Sequence, residues 1–503
     1  MLLSFYRYYN SSAATVGSGF AAKWRHTYSR TLWPSATLNS TIAYVYRPDG
    51  KVFIFTLNTG LWQSDTDVKS VLTRLIDQAN NPIGWQYKVA ETDEVELYDV
   101  NGSLISITDR SGLKQTLTYS DGSANPPNGG VIDGTTNPLP AGLLIRVSDD
   151  FGHTLQFGYN ANKYIVRMTN VAGQSYAYGY AANGNLMNVS YPDNKVRTYH
   201  YENVNFPQAL TGVTDENNNR YATWSYDTQG RAISSEHANG ADHTTLTYNA
   251  DGTTTVTDAL GTARTYGFAD IQGVLRNTFV SQPCPGCGGA SSAATAYDAN
   301  GNIASRIDFN GNKTTYGYDL TRNLEVTRTE GLTSAGANTP ATRTITTIWH
   351  PTFRLPTEIN EVTAGKKTTL AYDAKGNLTS RTVTDTAINQ TRTWTYTNTY
   401  SATVPGALTR VVIDGPRTDV VDTTTLDYYT PNDPCTGLGC RGQLKTSTNA
   451  LGQITTVSQY YANGRPLTIV DPNGVTTTLS YHPRGWLTSR TVGGETTPLA
   501  MTS

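Results

Sequence analysis

The stretch Tyr297-Asp-Ala-Asn-Gly-Asn-Ile-Ala-Ser-Arg-Ile-Asp-Phe-Asn-Gly-Asn-Lys-Thr-Thr-Tyr-Gly-Tyr318 holds two short alternating runs, each bounded by an Asn-Gly pair. Asn300-Gly301 and Asn310-Gly311 are residues that tolerate the positive φ of tight hairpin turns. The runs Ile303 to Asp308 and Lys313 to Tyr318 are strand formers, so the stretch predicts one β-hairpin. Side chains alternate along a strand, which puts Thr314, Tyr316 and Tyr318 on one aromatic face.

The unit recurs. Tyr98 to Tyr119, Tyr159 to Tyr180 to Tyr201, Tyr297 to Tyr318 and Tyr460 to Tyr481 are each 21 residues apart, and Tyr226 to Tyr248 is 22. Tyr98-Asp99-Val-Asn-Gly102, Tyr226-Asp227-Thr-Gln-Gly230, Tyr297-Asp298-Ala-Asn-Gly301 and Tyr372-Asp373-Ala-Lys-Gly376 align without gaps, and each precedes an alternating run. A fixed period in this range is the mark of a repeat architecture.

These Tyr-Asp-x-x-Gly units resemble the YD repeats of the Rhs family, which includes bacterial polymorphic toxins, wall-associated proteins, toxin-complex B and C components and teneurins. The resemblance covers essentially the whole chain, because Tyr6-Arg-Tyr-Tyr-Asn-Ser11 and Gly19 to Arg30 are similar to the segment that opens the repeat region in bacterial members. It implies an N-terminal portion of the repeat core. In the family such repeats form a hollow shell around a toxic C-terminal domain.

Composition agrees with strands and turns. Gly (45) and Tyr (32) are abundant and only 16% of residues are charged. Thirty-eight Lys and Arg against 40 Asp and Glu leave a net charge of −2, so no basic field is available for nucleic acid or anionic lipid. No stretch approaches about 18 consecutive apolar residues, and Met1 to Arg7 lacks the pattern of a signal peptide. Length does not count domains here, since each repeat contacts only its neighbours.

Taken in order, residues 1–93 are expected to form a β-rich opening segment, 94–490 the YD-repeat ribbon and 491–503 a polar tail. Thr41 to Tyr46 and Lys51 to Thr56 predict a hairpin. Val68 to Gln78 has helical spacing as well, but the resemblance favours a strand there. Gly/Pro/Asn-rich loops are expected at Ser123 to Pro140, Ser281 to Ser292 and Thr430 to Cys440. Between Tyr98 and Tyr481 there is room for roughly 18 units, about 30–36 strands and a ribbon on the order of 150–170 Å long. Such a ribbon must coil, because strand twist has a fixed hand and open sheets rarely exceed about 10 strands. As a single turn it would be roughly 50 Å across.

Candidate chemistry is sparse. Cys284-Pro-Gly-Cys287 has zinc-knuckle spacing, and Cys435-Thr-Gly-Leu-Gly-Cys440 could complete a four-thiolate site. Local disulfides and free thiols are the competing readings. The seven histidines are scattered, although His237 and His243 flank a turn and could touch across it. Asp149-Asp150 sits where Asp serves a turn rather than acid/base work. The rows Tyr176, Tyr178, Tyr180 and Tyr199, Tyr201 read as cross-strand packing, with glycan stacking as the alternative.

The expectation is an all-β, continuous antiparallel ribbon of YD hairpins coiled into an open spiral shell. It would be non-enzymatic, with no cofactor and no resident metal. The leading function is the shell segment of an Rhs-type polymorphic toxin, partnered by the remainder of that protein and its toxin domain, and secreted or displayed on the cell surface. The alternatives are a carbohydrate-binding or cell-contact adhesion module, reaching glycans or a secretion apparatus, and a repeat fragment without independent role. Asp471-Pro-Asn-Gly474 resembles the family's self-cleaving core motif, but Val475 stands where that motif has Leu, so an ordinary turn is expected. The last strand is expected to be an exposed edge prone to self-association.

Overall fold

The structure, a computed structural model, describes residues 3–12, 19–20, 23–34, 40–284, 286, 289–435 and 438–499. Its main body is a single 35-stranded antiparallel sheet running from Val71–Ile76 to Glu495–Pro498, in which each strand pairs with the next in sequence. Among the described residues no ladder joins Glu495–Pro498 back to Val71–Ile76, so the ribbon is not closed into a barrel. Two smaller sheets precede it. One pairs Arg7–Tyr9 with Trp24–His26, and the other holds Thr31–Trp33, Ile42–Tyr46, Val52–Asn58 and Leu61–Gln63. Val71–Ile76 is a strand despite its helical spacing, and Glu495–Pro498 draws part of the expected tail into the sheet.

The Asp of each unit builds the turn. Asp99 Oδ1 accepts the N–H groups of Asn101 (2.9 Å) and Ser103 (2.8 Å), while Gly102 N donates to Asp99 O. Asp227, Asp298 and Asp373 repeat this pattern on the second and fourth residues after them. The result is a three-residue loop, a type I turn followed by one left-handed residue. That residue is Gly, at φ +81° for Gly102 and +76° for Gly301. Of each Asn-Gly pair only the Gly is left-handed, Gly301 and Gly311 taking the positive φ and Asn300 and Asn310 not. Asp471-Pro-Asn-Gly474 is such a turn too, with Asp471 Oδ1 accepting from Asn473 and Val475.

The Tyr does something the sequence does not announce. Gly158 pairs with Arg167 but Tyr159 pairs with Ile165, so Val166 is an extra residue, a β-bulge. The same step falls at Tyr180, Tyr297, Tyr372 and Tyr481. A bulge disrupts the ladder locally, and the carbonyl of the residue opposite the Tyr is capped by the next Tyr of the array. Tyr180 Oη donates to Ile165 O at 2.7 Å, and Tyr201 Oη donates to Leu186 O at 3.0 Å, Leu186 being the residue paired with Tyr180. Tyr119 caps Leu104, Tyr159 caps Leu144 and Tyr481 caps Pro466 in the same way. Where the array has Trp349, its Nε1–H donates to Glu325 O at 2.8 Å.

The main hydrophobic core lies in the first part of the chain, and a small second cluster gathers Cys440, Val457 and Tyr460 in the later turn. Phe5, Phe20 and Trp24 of the opening segment pack on Phe157, Tyr178 and Tyr199 of the ribbon. Beyond Ala232–His237 many strands are half-buried on both faces, as in Lys313–Asp319 and Pro356–Glu361, while others such as Gln390–Tyr400 and Thr476–Tyr481 alternate exposed and half-buried residues, so the wall there is one sheet thick. Polar contacts also pin the opening segment. Leu32 N donates to Gly102 O, and a Cβ on Gly102 would lie 1.8 Å from Leu32 O. Glu96, fully buried, takes a bidentate pair from Arg47 (2.7 and 2.9 Å), a second arginine in Arg30, and the hydroxyl of Tyr98. Burial pushes the Glu96 carboxyl up, but Arg47 and Arg30 outweigh it and hold the group below the usual carboxylate range.

Two outcomes are expected. Tyr180→Phe leaves Ile165 O uncapped and should destabilise the chain by about 1–2 kcal/mol, read as a lowered urea midpoint, whereas Tyr6→Phe at an exposed site should change it little. Glu96→Gln leaves the largely buried Arg47 guanidinium without its anion and Arg30 with only Glu94, 3.7 Å away, and should cost about 3 kcal/mol. Because the folded pKa of Glu96 is depressed, its contribution is present above the unfolded carboxylate pKa and is lost as pH falls through the folded value. Acid titration of the wild type and Glu96→Gln should therefore converge at low pH.

Candidate functional site

The ribbon coils far enough to meet itself. Turns alternate between its two rims, and the Tyr-Asp turns all lie on one rim. The rim opposite them in the early part of the chain touches the Tyr-Asp rim of the later part. Asp93 Oδ2 accepts Arg354 N at 2.9 Å and Arg110 Nε at 3.0 Å. Asp193 Oδ2 takes Arg484 Nε at 2.9 Å, and Glu216 Oε1 takes Arg484 Nη1 at 3.1 Å. Asn323 Nδ2 donates to Thr66 O at 3.1 Å, and a Cβ on Gly406 would lie 2.7 Å from Leu113 N. These contacts define a seam between successive turns, spaced about 22 strands apart along the ribbon, which at ~4.8 Å per strand gives a circumference on the order of 105 Å and a diameter of roughly 35 Å. The expectation of a single turn about 50 Å across is thereby corrected. Twist accumulates faster than a ribbon drawn as one circumference assumes.

One seam contact carries a titratable group. His153 Nδ1 lies 2.8 Å from Asp149 Oδ2, and its Nε2 lies 2.9 Å from Leu438 O on the later turn. Both partners are acceptors, so only the imidazolium, with a proton on each nitrogen, satisfies both. Burial lowers the His153 pKa, but Asp149 and the Leu438 carbonyl outweigh it and Arg441 opposes them, for a net rise. Arg441 Nη1 donates to Phe151 O at 3.1 Å beside it. The loop that presents Leu438 is closed by a disulfide between Cys435 and Cys440, Cα atoms 6.0 Å apart.

The other candidates sort as follows. Cys435 and Cys440 are bonded to each other and Cys284 is also disulfide-bonded, so these sulfurs are not thiolate ligands. Cys287 lies outside the described residues. Among the described residues no group of three or more His, Cys, Asp or Glu is placed to hold a metal. His237 and His243 turn to other partners, Tyr221 O and Glu236 Oε2. Asp149 Oδ1 accepts Phe151 N and His153 N as a turn carboxylate, and Asp150 Oδ2 accepts Lys114 N. Tyr180 and Tyr201 are occupied in the capping just described, and Tyr176 packs edge-on against Tyr191. No sequence signal marked the seam residues Asp93, Asp193, His153 or Arg484, since their partners lie some 260–290 positions away.

Comparison with known proteins places these observations. The family model described as RHS Repeat matches residues 297–335 and 460–497. No curated protein matches in sequence. Among solved structures the chain is similar to a TcdB2-TccC3-Cdc42 crystal structure at 13% identity and a TM-score of 0.46, covering 90% of this chain and 23% of that one. It is similar too to TcdB2-TccC3 without its hypervariable C-terminal region, at 13% identity and a TM-score of 0.46, covering 98% and 30%. The Tc holotoxin pore of Photorhabdus luminescens matches at 13% identity and a TM-score of 0.42, covering 89% and 26%. The chain thus spans 23–30% of the length of those chains. No helix among the described residues is long and apolar enough to cross a membrane.

The seam has a pH signature. Because the folded pKa of His153 is raised, its clasp is fully present below the unfolded histidine pKa of about 6.5 and is lost as pH rises through the folded value. Amide exchange around Leu438 to Gln443, corrected for the intrinsic rate, should therefore quicken relative to Leu186–Ser190 between about pH 5.5 and pH 8.5. In His153→Gln that pH dependence should disappear.

Proposed function

Since this chain belongs to the Rhs/YD-repeat family, we propose that it is a wall segment of an Rhs-type shell that encloses a toxin domain carried by the same, longer protein. The repeat fold supports a scaffolding role. The observation that carries this reading is the seam. A one-layer sheet whose successive turns dock rim to rim, through Asp93, Asp193 and Arg484, partitions space without needing a second layer behind it. Ordinary sheets bury one face against another layer, and here most of the wall keeps both faces half-exposed, as a partition between two aqueous compartments requires. The Rhs protein would be secreted or displayed at the cell surface, and its partners would be the rest of the shell and the enclosed domain.

The test uses the longer protein that contains this segment. Its toxin domain should resist protease while the wall is folded and become digestible only when the wall unfolds in urea. Arg484→Ala, which removes the ion pairs to Asp193 and Glu216, should increase cleavage of the enclosed domain several-fold without cutting the ribbon itself. Equal digestion of that domain whether the wall is folded or unfolded would overturn the reading.

A further inference from the structure

A cavity of about 730 Å³ opens where three distant parts of the chain meet: Phe5 and Arg7 of the opening segment, Tyr176 and Tyr191 of the first turn, and Asn463 and Arg465 of the later turn. It exists only because the ribbon overlaps itself. Its polar groups are incompletely partnered. Arg7 packs against the rings of Tyr178 (5.3 Å) and Tyr199 (5.8 Å) and contacts the Tyr191 hydroxyl, yet its Nη1 is buried without a hydrogen bond. No carboxylate among the described residues pairs with Arg7 or with Arg465, in contrast to Arg484 beside them, which holds both Asp193 and Glu216. Asn463 Oδ1 is likewise buried and accepts nothing.

We propose that this cavity binds a small organic carboxylate that also carries a hydrogen-bond donor. A buried guanidinium without an anion is costly, and its planar fork suits a carboxylate. The unpaired Asn463 oxygen calls for a hydroxyl or amide N–H on the same ligand, within a cavity far larger than a phosphate ion needs. Phe5, Tyr176 and Tyr191 supply an apolar surface for the ligand's carbon frame. The inference is independent of what the shell encloses, since every residue it uses lies within this chain.

Isothermal titration of the purified chain decides it with four probes: digalacturonate, the dipeptide Gly-Asp, cellobiose and inorganic phosphate. One or both carboxylates should bind at least tenfold more tightly than cellobiose and phosphate, and which of the two wins assigns the source as a sugar acid or a peptide. Arg465→Ala and Asn463→Ala, both on the later turn and away from the hydrophobic core, should each weaken that binding about tenfold while the thermal midpoint stays near the wild type. Failure of both carboxylates to bind, equal binding of phosphate, or undiminished binding in Arg465→Ala would overturn the proposal.

Discussion

The hydrogen bond from the Tyr of most units to a carbonyl one unit back is the constraint on which the ribbon depends. Each bulge at a Tyr would leave one backbone acceptor without its ladder partner, a loss of about 1–3 kcal/mol if buried. The hydroxyl of the following Tyr removes that loss, as Tyr180 does for Ile165 and Tyr201 for Leu186. The donor lies 15 or 16 residues beyond its acceptor in most copies, and the acceptor itself faces the previous Tyr. The two steps together fix the 21-residue period. Trp349 can stand in because its ring also ends in a donor.

That coupling explains how so thin a wall persists. Where a compact domain draws on a dense core, many of the later strands have half-buried Thr and Tyr on both faces and only scattered buried aliphatics such as Leu324 and Val411. Nearest-neighbour terms then dominate, as expected of a quasi-one-dimensional array. The exception is the opening segment, whose aromatic residues and two arginines on Glu96 give the first turn the largest buried cluster among the described residues. It anchors one end of the spiral, and the seam carries that order into the next turn.

The hairpins were legible in the sequence because their causes are local. Asp99 and Gly102 act within a span of five residues, so Tyr-Asp-x-x-Gly written many times predicts turn, strand and ribbon. The bulge was not legible, since an extra residue such as Val166 looks like any other member of an alternating run. Neither was the pitch, because twist per strand is a collective property that no side chain encodes alone. His153 illustrates the limit best. As a sequence feature it was one of seven scattered histidines, and its meaning comes from Leu438, to which only the coiling brings it.

The rims are not equivalent, and this bears on where such a protein can change. The loops at 120–143 and 201–211 lie on the rim of the first turn that the later turn does not touch, the second of them against Tyr9 of the opening segment, and those at 333–342 and 414–423 lie on the free rim of the later turn. The long insertion that does enter the seam, 429–443, is the one cross-linked by Cys435–Cys440 and held by Arg441 and His153. A free rim tolerates added length the way a screw tolerates a flared outer edge, whereas added length between threads would force the pitch open. Insertions in this chain are thus sorted by thread geometry, and a new loop can be grafted on one side of a turn while the opposite side must stay short or be tied shut.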